Sequence, residues 1–195
     1  SEYPSDEDTF DYAEIGFLFE GSEESKRKHY EFHNESLEVR LALNVVDNEP
    51  GAVQSGHYLW PGALALGEYL LERSSLQPKT VLELGSGCAL VSLTALQVFS
   101  SIQYLVITDH DPGTLQRAKD NHHATLEYLD DDSLVRRILH VPTQFEIMVW
   151  GDLEMATGIA SNMKHDVSLE KFDLILGSDL IYDRDVVRPL LETVS

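Results

Sequence analysis

An apolar run that ends abruptly at two closely spaced glycines constrains this chain more than any other feature. Lys79-Thr80-Val81-Leu82-Glu83-Leu84 is short and mostly apolar, and it leads into Gly85-Ser86-Gly87-Cys88-Ala89. Leu90 to Phe99 is an apolar stretch of helical length, and Ile102 to Thr108 is a second apolar run closed by Asp109-His110-Asp111-Pro112. A strand, a tight turn, a helix and a second strand in that order form a βαβ unit. The strands are continuously apolar rather than alternating, so both faces of their sheet must be covered.

The pattern continues downstream. Leu115 to Leu129 predicts a helix, Asp130-Asp131-Asp132 a solvated turn, and Phe145 to Trp150 a third core strand. Phe172 to Leu176 predicts a fourth strand, and Asp185 to Val194 the start of a helix. Arg136 to Val141 fits either a helix end or an extra strand, and the polar, weakly patterned residues 151–170 predict a connection. Upstream, Pro61 suits the first turn of a helix whose apolar face is Leu64, Ala65, Leu66, Tyr69 and Leu70. Tyr30 to Val46 predicts one or two strands, because Leu37, Val39, Leu41 and Leu43 alternate with Glu38, Arg40 and Asn44. Ile15-Gly16-Phe17-Leu18-Phe19 predicts another short strand, and Glu20 to Lys28 a charged break.

The expected fold is α/β: a Rossmann-like, doubly wound, mostly parallel sheet with an N-terminal β extension. Residues 1–56 are expected to hold an acidic segment and that extension, and residues 57–195 the main domain. The chain stops in the helix after the fourth strand, where a sheet of this kind ordinarily continues. A truncated chain and an unusual second half both fit that stop.

Charge narrows the choice of partner. Asp and Glu total 34 against 14 Lys and Arg, for a formal net charge of -20. Such a field repels phosphate backbones, so direct nucleic-acid binding is not expected, and a basic protein surface fits better. Simple solubility explains the same charge, and charge alone favours that reading. No stretch reads as a membrane span, and the first residues read as neither a secretory signal nor a basic transit peptide. The single cysteine, Cys88, points to a reducing compartment, with the cytoplasm expected and the nucleus as an alternative.

The glycine turn is the candidate ligand site. Gly85 permits the turn, Gly87 leaves room beside the backbone, and Ala89 is the third small residue, where the helix passes close to the sheet. A plain turn without a ligand uses the same residues. Asp109 follows at the end of the second strand, about 20 residues on, where a carboxylate accepts hydrogen bonds from ribose hydroxyls. Asp111 competes for that role but better fits a cap on the helix after Pro112. Trp150 can lie against an adenine ring or pack as a sheet-end core residue. These features point to a nucleoside without separating NAD from S-adenosylmethionine. Glu83, before the turn, suits a cationic amino group better than a pyrophosphate, which favours S-adenosylmethionine. The eight histidines show no ligand spacing, and no metal is expected.

Four segments together carry a resemblance. Leu59-Trp60-Pro61-Gly62-Ala63, Val81 through Cys88, Ile107-Thr108-Asp109 followed by Leu115 and Asn121, and Phe172 through Tyr182 with its Asp-x-x-Tyr ending resemble the protein-lysine methyltransferase family related to the methyltransferase-like 21 proteins. The resemblance spans about Tyr30 to Val194. It implies a seven-strand Rossmann-like fold whose last strands lie beyond this chain. It also implies methyl transfer from S-adenosyl-L-methionine, leaving S-adenosyl-L-homocysteine, to lysine on a non-histone protein with a basic surface. Trp60, Glu83, Gly85, Ser86, Gly87, Asp109 and Trp150 would then surround the cofactor. Ser178 would lie by its methyl group, and Asp179 and Tyr182 by the acceptor lysine. The family often has glycine where this chain has Ala89, which implies reduced clearance. Methyl transfer to a small molecule, and a non-catalytic interaction module that keeps the fold, remain the alternatives. An NAD-dependent oxidoreductase lacks an evident acid–base set. From the residues alone, Asp179 as a helix cap and Tyr182 as a core aromatic stay open.

Overall fold

The computed structural model describes residues 25–47, 55–162 and 171–195. The strand expected at residues 15–19 lies outside them. The described residues form two sheets: an antiparallel pair of β1 (Lys26–His33) and β2 (Glu38–Val45), and a four-stranded parallel sheet. The parallel sheet runs in the order β5 (Thr143–Ile147), β4 (Tyr104–Asp109), β3 (Thr80–Glu83), β6 (Leu174–Leu176). Six helices accompany them among the described residues: α1 (Pro61–Glu72), α2 (Leu90–Val98), α3 (Pro112–Tyr128), α4 (Asp132–Leu139), α5 (Leu153–Asn162) and α6 (Val187–Val194).

The strands divide their side chains between two cores. Val81, Leu105 and Ile107 join α2, Ala118 of α3 and Ile138 of α4 on one face. Leu82, Tyr104 and Val106 meet Met148 and Ile159 of α5 on the other. The chain passes from β3 through α2 to β4 on one side, then returns from β5 to place β6 on the other side of β3. Strand order therefore reverses at β3. In open α/β sheets the crevice outside the carboxyl ends at such a reversal is where ligands bind, and the glycine turn stands there.

The hairpin does not extend the main sheet. It forms its own, and Val39, Leu41 and Leu43 enter the first core beside α2. Its free edge is closed by helix side chains instead of a strand. Gln97 accepts from the Arg40 N–H at 3.1 Å and donates to the Arg40 carbonyl at 3.0 Å. Thr125 Oγ1 lies 3.2 Å from both the Ala42 N–H and the Ala42 carbonyl. Asn121 Oδ1 accepts from the Asn44 N–H at 2.6 Å. Residues 40, 42 and 44 face the same way, so three polar side chains satisfy backbone that would otherwise be buried unpaired.

Several expectations need correcting. Strand β1 begins at Lys26, inside the predicted charged break. Of the two readings of residues 136–141 the helix end holds, but the helix begins earlier: α4 starts at an Asp131 cap, whose Oδ1 accepts from the Ser133 and Leu134 N–H groups at 2.8 and 3.2 Å. The expected connection after residue 151 contains α5, opened by Asp152 Oδ1 accepting from the Met155 N–H at 2.9 Å. Strand β5 stops at Ile147, so Trp150 lies in the loop beyond it. Among the described residues no helix is long and apolar enough to cross a membrane.

Helix α4 also supports α2. Arg137 donates to the carbonyls of Leu96 at 2.9 Å, Gln97 at 3.0 Å and Phe99 at 3.5 Å, where α2 has no internal partners left. Replacing Arg137 by alanine is expected to cost about 1.5–3 kcal/mol, the range for hydrogen bonds from a charged group. Urea unfolding measures it, and an unchanged midpoint would refute the cap.

Candidate functional site

The glycine turn is left-handed at three positions: Gly85 (φ 57°), Gly87 (φ 51°) and Ala89 (φ 60°). Glycine adopts this region freely, whereas alanine incurs about 1–2 kcal/mol there. Ala89 thus carries a backbone cost in addition to any loss of clearance. Three hydrogen bonds hold the turn over the sheet. The Ser86 N–H donates to Thr108 O at 2.9 Å, the Ala89 N–H to Ser86 O at 2.8 Å, and Thr108 Oγ1 to Glu83 O at 2.7 Å.

Asp109 joins the turn directly. The Gly87 N–H donates to its Oδ2 at 3.1 Å, and the Asp111 N–H donates to its Oδ1 at 3.2 Å. His110 Nδ1 lies 3.2 Å from the same Oδ1. The carboxylate is 6% exposed and lies at the carboxyl end of β4, beside the turn that follows β3. Asp111 is the cap of α3, its Oδ2 accepting from the Thr114 N–H at 2.6 Å. Each acidic residue thus has the position its spacing implied.

Ser86 Oγ is buried and has no hydrogen-bond partner among the described residues. Around it the other predicted residues gather unevenly. Trp150 and Leu180 lean on the turn: a β-carbon at Gly85 would meet Leu180 Cδ2 at 2.7 Å and Trp150 Cζ2 at 3.2 Å. Residues Ser55–His57 form a short strap across Gly87, where a β-carbon would lie 3.3 Å from Gly56 O. The Cys88 thiol faces the strap from below, 3.4 Å from His57 O, and burial pushes its pKa up to about 12. Trp60 ends the strap, its indole N–H donating to Ser55 O at 2.9 Å and its ring edge-on to Tyr58.

Glu83 has a different environment from the one expected. It is 2% exposed, and its carboxyl accepts from the Ser92 N–H at 3.2 Å, in the first turn of α2. Ala89 offers that helix no side-chain cap, so Glu83 supplies one from the strand below. Desolvation pushes its pKa up to about 8, against the Ser92 bond that favours the anion. Burial thus favours the uncharged acid, which would weaken it as a counter-ion for an ammonium group.

The Asp-x-x-Tyr segment splits. Ser178 is half-buried and Asp179 is exposed with a left-handed backbone (φ 54°). Asp179 caps no helix after it. Its carboxylate rests on Gly62, in the first turn of α1, where any β-carbon would overlap all three carboxyl atoms. Tyr182 is 75% exposed, which excludes a core role and leaves it on the rim, lining no channel among the described residues. A cavity of about 560 Å³ lies away from the turn, along the outer edge of β5. It runs from Pro112 and Leu115 past Phe145 and Ile147 to Met155 and Ile159. Sequence reasoning missed the strap, the Gly62–Asp179 contact and the role of Asn121, whose Nδ2 donates to Cys88 O at 3.0 Å and so tethers the turn to the hairpin.

A parallel sheet covered on both faces, with a glycine turn and a strand-end carboxylate in contact at its reversal point, belongs to the Rossmann-like class of α/β folds. Within that class, residues 41–195 match the family model described as lysine methyltransferase, and the chain belongs to that family. The protein N-terminal and lysine N-methyltransferase EFM7 of Cryptococcus neoformans is 30% identical over 164 residues, covering 83% of this chain and 47% of its own. The histone-arginine methyltransferase METTL23 of Rattus norvegicus is 28% identical over 143 residues, covering 73% and 53%. The chain therefore spans about half the length of these curated relatives. A putative SAM-dependent methyltransferase from Streptococcus mutans aligns in three dimensions with a TM-score of 0.43 at 16% identity, over 88% of this chain and 40% of that one.

Proposed function

We propose that this chain belongs to an enzyme that moves a methyl group from S-adenosyl-L-methionine to a lysine side chain of a non-histone protein. The observation that carries the reading is the contact between Asp109 and the Gly87 N–H. It sets the carboxylate that would take the ribose hydroxyls beside the glycine turn, which the Ser55–His57 strap, Trp150 and Leu180 cover in this structure. The family membership and the EFM7 relatives support protein as the acceptor, and the acidic surface suits a basic one.

The residues fit the cofactor's chemistry. Asp109 would take the ribose hydroxyls, the uncommitted Ser86 hydroxyl would meet the polar end of the methionine, and Trp150 would flank the adenine. S-adenosyl-L-methionine supplies an electrophilic methyl on a sulfonium. The protein's part is to hold the acceptor in line with it and to exclude water. A lysine ammonium has a pKa near 10.4 in water (about that value in model peptides) and must lose its proton before it attacks. Asp179 would hold the ammonium in place. A carboxylate favours the charged form, so deprotonation falls to desolvation of the amine, with the proton passing to water. Tyr182, on the rim, would contact the chain of the acceptor protein.

Calorimetry tests the first half. The protein should bind S-adenosyl-L-methionine at micromolar concentration, and Asp109→Ala should weaken binding by about 1–3 kcal/mol through a lost charged hydrogen bond. Binding of NAD in its place would overturn the reading. Incubation with radiolabelled cofactor and cell extract tests the second half. Label should enter a protein band as methyl-lysine. Label confined to small molecules would mean a different acceptor class, and label as methyl-arginine would remove the lysine assignment.

A further inference from the structure

Asp179 is held by more than its own loop. Its backbone is in the left-handed region, uncommon for a residue other than glycine. The next residue, Leu180, is pinned between Gly85 and Gly177, since a β-carbon on either would strike its methyl groups. The Asp179 carboxylate is thereby pressed onto the first turn of α1. Gly62 admits it there, with Oδ1 and Cγ at 2.7 Å from the place a β-carbon would take. That turn has no side-chain cap of its own: Trp60 stands at the N-cap without one, and Pro61 has no N–H. The positive end of a helix of twelve residues faces a carboxylate supplied by another part of the chain.

We propose that Gly62 is a positioning residue: by lacking a side chain it seats the Asp179 carboxylate against the start of α1 and so aims it at the group that accepts or mimics the methyl. This rests on the methyl-donor reading above. Gly62 touches no ligand in this account. It acts through Asp179, whose direction is fixed on one side by Leu180 in the glycine turn and on the other by α1. The Trp60-Pro61-Gly62 segment then links the strap over Gly87 to the acceptor side of the site. A single methyl group at position 62 would drive the carboxylate away from that helix end.

Two ligands separate this role from general damage. Sinefungin carries an amine-bearing carbon where the cofactor has its methyl-bearing sulfur, so its amine takes the place of the methyl, and S-adenosyl-L-homocysteine carries neither amine nor methyl there. Gly62→Ala should weaken sinefungin about tenfold, the equivalent of one charge-assisted hydrogen bond, while S-adenosyl-L-homocysteine changes by less than about twofold. Asp179→Gly, chosen because glycine keeps the left-handed backbone, should lose the same factor, and the double variant should lose no more than Asp179→Gly alone. Equal loss of both ligands, or additive losses, would overturn the proposal.

Thermal melting gives a second readout that needs no ligand. Alanine is the better helix former, so Gly62→Ala should raise the melting temperature in the Asp179→Gly background and lower it when Asp179 is present. The same sign in both backgrounds would overturn the contact. If neither ligand binds the unaltered protein, the methyl-donor reading fails, and opposite signs in the melts still sustain the seating of Asp179 by Gly62.

Discussion

Replacing Asn121 by alanine should cost about 3–4 kcal/mol of stability, the sum of two buried polar groups left without partners. Asn121 is fully buried in α3. Its Oδ1 takes the Asn44 N–H at 2.6 Å, and its Nδ2 serves Cys88 O at 3.0 Å and Asn44 O at 3.5 Å. Alanine would remove the acceptor for one edge position of the hairpin and the donor for the glycine turn at once. Thr125→Val, which removes the Ala42 pairing while keeping the side chain's shape, should cost less, about 1–2 kcal/mol. Urea unfolding compares the two. Amide exchange adds a local test, because the Gly87 N–H, bonded to Asp109 beside Cys88, should exchange faster in Asn121→Ala. A loss below about 1 kcal/mol would show that water replaces the side chain at no cost, and the tether would be discarded.

This network marks where sequence reading stops. The glycine turn, Asp109 and the Asp111 cap were legible, because each depends on neighbours within one βαβ unit and on fixed spacing. The zipper on β2 was not. Gln97, Thr125 and Asn121 meet residues 57 to 83 positions away in the chain, and a lone amide or hydroxyl on a helix carries no local signal of a distant edge. The contact of Gly62 with Asp179 is invisible for the same reason.

Misread elements have local causes. Helix α5 contains Gly158 and only a thin apolar face, so its period was faint, although Asp152 at its start was a readable cap. Helix α4 is short, and its Asp131 cap was lost in a run of three aspartates read as solvated turn. Trp150 was assigned to a strand because Phe145 to Trp150 is largely apolar. The strand ends at Ile147, and the tryptophan reaches Gly85 from a loop. Glu83 reads from sequence as a counter-ion beside the turn; alternation in β3 turns it inward with Val81, toward α2, where it accepts from the Ser92 N–H.

That state has a measurable consequence. The Glu83 pKa in the folded protein is about 8, raised by desolvation from an ordinary value of 4.5. Between those two values the folded protein keeps a proton that the unfolded chain has released. Stability from this group is therefore fully present below the unfolded value, declines as pH rises, and is lost above about 8. At about 1.4 kcal/mol per pKa unit, the decline amounts to several kcal/mol. Unfolding free energy should fall between about pH 4.5 and pH 8. Glu83→Gln, which keeps an acceptor for the Ser92 N–H and cannot ionise, should flatten that slope and be the more stable protein at pH 9. If both proteins lose stability in parallel over this range, Glu83 is ionised in the folded state and its cap on α2 is that of an anion. A carboxylate charged there at neutral pH would restore it as a counter-ion for the methionine ammonium, so the slope decides between a support beneath the turn and a group that binds the ligand.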